Sequence, residues 1–350
     1  MQAGAELLRT VWTGSFVLAA ASILFLLMLV IRRLIIQVFE RRSAALRDTL
    51  RGLVLEYAAT PQTPEPPQTL RRSADQRVLL SIVTEMMDGV AGDMRARLIG
   101  LLNAVIDRRR LLRDLRKGGP ADRAKVAARL FWSNAPEVRD ALRAALDDPE
   151  PDVVLAAVNS LLATGHPIDL ITLVPKLERR DMLGHREVRD IFRKVAPQNR
   201  AALFALLDAP NPALVVLVID ALTRAPSDAA LKRLRGMAQT HSSVDVRATA
   251  LRTLGLAGDP LANSIIVGAL NDPAWEVRTQ AAIAAGRARI GEALPALTRL
   301  LDDANWWVQL RAAQALAQLG DAGLEVLENL LTDSEKRPLA AFALSERHAA

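Results

Sequence analysis

The 350-residue chain contains no cysteine, which excludes disulfides, thiolate metal ligands and a thiol nucleophile. Aromatic residues make up only 4% of it, so any interior must be built from aliphatic and small side chains. The four histidines, His166, His185, His241 and His348, are scattered, and none is followed by glutamate. Phosphate-binding and nucleophile sequences of the types G-x-x-x-x-G-K-[ST], G-x-G-x-x-G and G-x-S-x-G are missing, as is the zinc helix H-E-x-x-H. His166 and His185 lie nineteen residues apart with no carboxylate at metal-ligand spacing. The sequence therefore predicts a non-enzymatic protein with no catalytic residue, no metal and no cofactor.

What the chain does have is alanine, leucine and arginine in abundance, a composition of helices packed through small side chains. Its net charge of +6 is modest for this length, so the placement of the charges matters more than their sum. From Val11 to Ile31 there is no charged residue. Twenty-one helical residues rise about 31 Å, enough for a hydrocarbon core of ~30 Å. A cleaved signal peptide fits less well, because Glu6 offsets Arg9 at the start and the run ends in Arg32-Arg33 with no small-residue cleavage site.

Six arginines between residues 32 and 51, among them Arg32, Arg33, Arg41 and Arg42, put that flank on the cytoplasmic side. The expected order is an external N-terminus (1–10), a single transmembrane helix (11–31) and a basic amphipathic juxtamembrane helix (32–58). A Pro-rich linker (59–69) with Pro61, Pro64, Pro66 and Pro67 follows. In residues 32–58 one apolar stripe includes Leu46, Leu50, Leu53 and Tyr57. Two readings stand open for this helix. Its arginines rest on anionic lipid or a partner's membrane segments, or the stripe packs on the chain's own first repeat.

Beyond the linker, a helical part (70–119) leads into a repeat array (120–350). Val215, Val246, Val277 and Val308 open successive second helices at a spacing of thirty-one residues. Each unit is an aliphatic helix, a turn rich in Asp, Asn and Pro, and a second helix carrying small residues such as Ala250, Ala281 and Ala312. Upstream the same pattern continues with a looser period. There 96–117 reads as one first helix and 122–132 as its second. The last unit is degraded.

This D-x4-V-R…A-A…A-L…L-G-D pattern resembles HEAT repeats, of the short bacterial kind also found in phycobilisome-lyase-like HEAT proteins, over about residues 120–335. The resemblance implies an all-α solenoid of stacked helix pairs forming a superhelix, preceded here by one transmembrane helix. The plan is also similar to bacterial proteins with one N-terminal membrane helix and a cytoplasmic HEAT array, and "RRRLLRDLRKGGPADRAKVAARL" belongs to that likeness. Some of those proteins are encoded beside membrane glycosyltransferases. A glycosyltransferase, or other envelope polysaccharide machinery, is the partner the resemblance implies, at the bacterial inner membrane. HEAT proteins of the deoxyhypusine hydroxylase type hold iron through His-Glu pairs, which this sequence does not contain.

Two sets of residues stand out. Asp245 with Arg247, and Glu276 with Arg278, begin successive second helices, and they are expected to form a structural ladder in which the arginine of one unit reaches the turn acid of the next. In the following unit Trp306 keeps the register of Trp275, but Trp307 and Gln309 replace the charged pair. Trp306 is expected to pack in the turn. Trp307 is the first choice for a protein contact, with Trp306, Gln309 and Trp275 around it. The region 107–117, with six cations against Asp107 and Asp114, suits lipid headgroups or an acidic partner surface. A nucleic-acid binder and a lyase-like enzyme are the alternatives, the first calling for a continuous positive face and the second for a polar pocket.

Overall fold

The computed structural model describes Met28, Arg33 and residues 47–59, 76–87, 89–224, 226–334 and 336–349. Among these every regular element is helical and no strand occurs. The expected membrane span lies outside the described residues except for Met28, which is helical and exposed. No helix among the described residues is long and apolar enough to cross a membrane.

The chain divides into two compact units, with the division falling inside one helix, after Asp114, rather than near residue 119. The first unit also takes in Trp132–Val138. Its helices are α1 (residues 47–59), α2 (Gln76–Met87) and α3 (Gly92–Val105). On α1 the buried positions are Leu50, Val54 and Ala58, four residues apart and so on one face of a helix. That stripe differs from the expected Leu50, Leu53 and Tyr57. Arg97 of α3 lies 5.3 Å from the centre of the Tyr57 ring and donates to the Tyr57 carbonyl at 2.6 Å. For residues 47–59 the apolar face is thus packed within the chain itself.

The sequence reads 96–117 as one helix. The structure breaks it at Ile106-Asp107, giving α3 and α4 (Arg108–Lys117). Asp107 accepts from the Arg110 amide at 3.2 Å, and such local side-chain bonding competes with helix continuation. Next come α5 (Pro120–Arg129) and α6 (Pro136–Ala145).

The second unit runs on as helix pairs: α7 (Pro151–Ala163), α8 (Leu170–Glu178) and α9 (Arg186–Val195), then α10 (Arg200–Leu206) and α11 (Pro212–Leu222). The regular repeats follow as α12 (Asp228–Thr240) with α13 (Val244–Ala257), α14 (Asn263–Ala269) with α15 (Trp275–Arg287), and α16 (Leu294–Arg299) with α17 (Trp306–Gln318). The last pair is α18 (Asp321–Leu330) with α19 (Arg337–Ala349). The second helices form a continuous row, α9 on α11, α11 on α13, α13 on α15, α15 on α17 and α17 on α19.

The repeated valines explain that row. Val215, Val246, Val277 and Val308 are fully buried, each contributing about 1.5 kcal/mol of apolar burial. Ala250, Ala281 and Ala312 are buried as well and keep the spacing small. Closest approach occurs at Gly255, where an added Cβ would sit 2.6 Å from Ala284 Cβ, and at Gly286, where it would sit 2.7 Å from Ala315 Cα. Two of these glycine positions thirty-one residues apart therefore set the α13–α15 and α15–α17 distances. Gly258 stops α13 in the left-handed conformation at φ +62°, where a side chain is disfavoured.

Candidate partner-binding cleft at the end of the array

The turns that precede the second helices are tied together by arginine forks. Arg247 at the start of α13 donates to both carboxylate oxygens of Asp272, at 2.9 Å each. Arg278 of α15 does the same to Asp303 at 2.7 and 2.8 Å. Arg123 of α5 repeats the arrangement on Asp148, with two bonds of 2.8 Å. The remaining guanidinium nitrogen turns back to the arginine's own loop: Arg247 donates to the His241 carbonyl at 2.9 Å, and Arg278 to the Asp272 carbonyl at 2.9 Å. A planar fork with spare donors suits this double duty.

Burial tends to raise the pKa of Asp272 and Asp303, but the arginine bonds and a backbone amide outweigh it and hold both below the ordinary aspartate value. Those amides come from Ala274 and Asn305, at 2.9 Å. His241 fills the same turn position one unit earlier, and its Nδ1 accepts from the Ser243 amide at 3.1 Å. The arginines thus reach the turn aspartates of the next unit, while Asp245 and Glu276, grouped with them in the ladder, make no hydrogen bond to these arginines. Asp245 is exposed at the head of α13. Glu276 adds only charge attraction to Arg278. Both suit the positive end of a helix.

A second cross-link, missed from the sequence, centres on Asp220 of α11. Its buried carboxylate accepts from Arg193 of α9 and Arg252 of α13, both at 2.8 Å. Burial opposes ionisation there, and the two guanidinium groups more than offset it, keeping the carboxyl below its ordinary pKa. The irregular offsets of the three residues hide this link from a search for a fixed period.

The ladder changes at α17. Gln309 occupies the place of Arg278 and donates to the Asp303 carbonyl at 2.6 Å. It thus keeps the backward bond of the arginine and drops the forward one. The forward position, twenty-five residues on as in Arg278–Asp303, is Ser334. A cleft of about 580 Å³ opens here, lined by Leu301, Asp302, Trp306, Gln309, Leu310, Lys336, Pro338, Leu339 and Phe342. Lys336 is ion-paired with Asp302.

Trp306, expected to pack in the turn, is instead 57% exposed and forms a wall of this cleft. Trp307 is half-exposed and lies outside the lining, its ring edge-on to Trp306 with centroids 5.0 Å apart. Asn305 caps α17 by accepting from the Trp307 amide at 2.9 Å. Trp275 is partly exposed one repeat earlier. The structure therefore brings Trp306, Trp307 and Gln309 together. Phe342, Leu339 and Pro338 of α19 were not foreseen, because the last unit no longer follows the repeat. The signal available was the i, i+3 pair Leu339 and Phe342.

Of the expected membrane-surface residues, Arg33 is helical and exposed, while Arg32, Arg41 and Arg42 lie outside the described residues. Among the described residues no group of three His, Asp or Glu side chains is placed to hold a metal ion.

A family model described as HEAT repeats matches residues 200–273 and 263–345, the stretch that holds the valine register, the Arg247 and Arg278 forks and the cleft. No curated protein sequence matches the chain. Among solved structures it is similar to the karyopherin Kap121p, with 15% identity, 85% of this chain and 41% of that one covered and a TM-score of 0.48. It is similar to an engineered protein at 18% identity, with 87% and 96% of the two chains covered and a TM-score of 0.38. A third likeness is to human deoxyhypusine hydroxylase in complex with glycerol, at 17% identity, coverage of 88% and 99% and a TM-score of 0.32. The chain spans about two fifths of the length of the karyopherin it matches.

Proposed function

We propose that this HEAT-repeat array is a non-enzymatic scaffold, anchored at a membrane by the apolar run Val11–Ile31, that docks a protein partner in the cleft at α17 and α19. The observation that carries the reading is the exposed Trp306, which lines with Phe342 and Gln309 a cleft of about 580 Å³. Indole and phenyl walls take up a partner's apolar side chains with little loss of their own freedom, and tryptophan is a favoured anchor of protein interfaces. Anchoring adds effective concentration, since a partner in the same membrane meets the array in two dimensions. The partner class is a membrane glycosyltransferase of envelope polysaccharide synthesis or its cytoplasmic regulator, on the strength of the resemblance in plan. The array then faces the cytoplasm of a bacterial inner membrane.

The test is crosslinking in intact membranes followed by affinity purification of the full chain and of its Trp306→Ala variant. The reading predicts recovery of an envelope-biosynthesis protein with the parent chain and its loss with the variant. Equal recovery with both sinks the cleft as the docking site.

A further inference from the structure

Helix α4 carries six cations and one acid, Asp114, in ten residues, and its geometry gives it a use of its own. Ten residues long, this helix rises about 15 Å, and at ~100° per residue its side chains fall into two sectors. Leu111, Leu112 and Leu115 lie on one side, with Leu115 buried and the other two partly so. Arg109, Arg110, Arg113, Arg116 and Lys117 occupy an arc of about 120° opposite them, and all five are exposed. None of the five side chains forms a hydrogen bond or ion pair among the described residues, although the arginines of the repeats are spent on turn aspartates. A helix with an apolar floor and five free cations on its outer face is built to meet a plane of negative charge.

We propose that this face of α4 lies on the anionic headgroups of the membrane, as a second contact besides the apolar run. The inference rests on the proposed anchor for its geometry. A bilayer is favoured over nucleic acid by two features of the chain. The arc carries no aromatic residue to stack on a base. The face also follows in sequence the charge-free run Val11–Ile31 and the arginine-rich flank after it. A chain held at the surface by such a run presents α4 to headgroups at high effective concentration, so that individually weak lysine and arginine contacts suffice. The consequence is a second hold on the membrane: the anchor fixes the chain in the bilayer, and the basic face keeps α4 at its surface.

The absence of cysteine makes the test direct. Asp114→Cys, beside the basic arc, takes a single fluorophore on the full chain, which is reconstituted into nanodiscs of phosphatidylcholine alone or mixed with phosphatidylglycerol. Each disc also carries a headgroup-labelled quencher lipid. The proposal expects several-fold stronger quenching in the anionic discs, lost at raised salt and lost in a variant adding Arg109→Gln, Arg113→Gln and Lys117→Gln. Circular dichroism checks that this variant keeps its helicity. Equal quenching in both discs, or none in anionic discs that carry the chain, overturns it. Failure of the chain to enter discs at all sinks the anchor instead. The labelled chain is then titrated with anionic vesicles, where binding that needs the three cations supports the basic face and no binding overturns it. Tight binding of duplex DNA that requires the same cations, without response to anionic lipid, also overturns it and makes the face a nucleic-acid site.

Discussion

Arg247 and Asp272, twenty-five residues apart, face each other through two parallel hydrogen bonds of 2.9 Å, Nε to one carboxylate oxygen and Nη2 to the other. The same arginine holds the carbonyls of His241 and Ser242 in its own turn. One side chain thus fixes the spacing of two consecutive turns, and Arg278 repeats the arrangement on Asp303.

Both side chains of the Arg247–Asp272 pair are only 12% exposed, so the pair is far from the solvated surface bridge that contributes almost nothing. Asp272→Ala strands a mostly buried guanidinium and removes an acceptor from the Ala274 amide. The expected loss is about 2–4 kcal/mol, toward the lower end of what breaking a buried pair costs. Arg278→Lys keeps the charge but cannot fork, and the expected loss is about 1 kcal/mol. Urea midpoints of the two variants check both values. A cost for Asp272→Ala no greater than that of an exposed surface change would mean that the forks do not hold the stack.

Acid should loosen the array from the forks outward. The carboxyls of Asp220, Asp272 and Asp303 are held below their ordinary pKa, burial opposing and the arginine bonds prevailing. A carboxyl depressed on folding binds fewer protons in the native state than in the unfolded one. Its stabilisation is therefore fully present above the unfolded value of about 3.9 and is lost as pH falls through the lower folded value. The urea midpoint is expected to stay flat near neutrality and to drop below about pH 4. Asp220→Asn, measured alongside, should lower the neutral midpoint and make the acid drop shallower. An unchanged acid slope would remove Asp220 from the account.

Glycines separate packing from propensity. Gly236 lies exposed within α12 with nothing near the place of a Cβ, so Gly236→Ala should stabilise by about 0.5–1 kcal/mol through helix propensity. Gly255→Ala gains the same propensity but drives a methyl to 2.6 Å from Ala284 Cβ. Overpacking costs about 1–3 kcal/mol, so a net loss is expected. Thermal melts of the pair decide it: two changes of the same sign would mean that α13 and α15 can part at little cost.

The fold was legible where one physical constraint recurs. The valine at the head of each second helix must be buried, so Val246, Val277 and Val308 mark helix starts from sequence alone, and all three are buried. The reach of Arg247 and Arg278 to the next turn follows from the same register. Asp245, two residues before Arg247 on the same helix, does not face it, which leaves the turn acid of the next unit as the partner. The break at Asp107 depends on one side-chain bond to the Arg110 amide, which periodicity does not register. The cleft was half legible: Trp306, Trp307 and Gln309 depart visibly from the repeat, whereas Phe342 belongs to a unit with no pattern left to depart from.

Three indoles at the turn edge give the sharpest test of where a partner sits. Trp306 lines the cleft beside Phe342, Trp307 stands outside it, and Trp275 lies one repeat away. All three are substantially exposed, so truncation to alanine should cost each about 1 kcal/mol of stability or less. Partner capture should separate them. Trp306→Ala removes a wall of the cleft and should weaken capture at least tenfold, the scale of an interface anchor worth more than about 1.4 kcal/mol. Trp275→Ala should leave capture nearly intact. Trp307→Ala should fall between, because its ring supports Trp306 edge-on without entering the cleft. Pull-down from crosslinked membranes, quantified against the melting midpoint of each variant, gives the ranking. A Trp307 effect exceeding that of Trp306 at equal stability would move the contact out of the cleft and onto the open edge of α17.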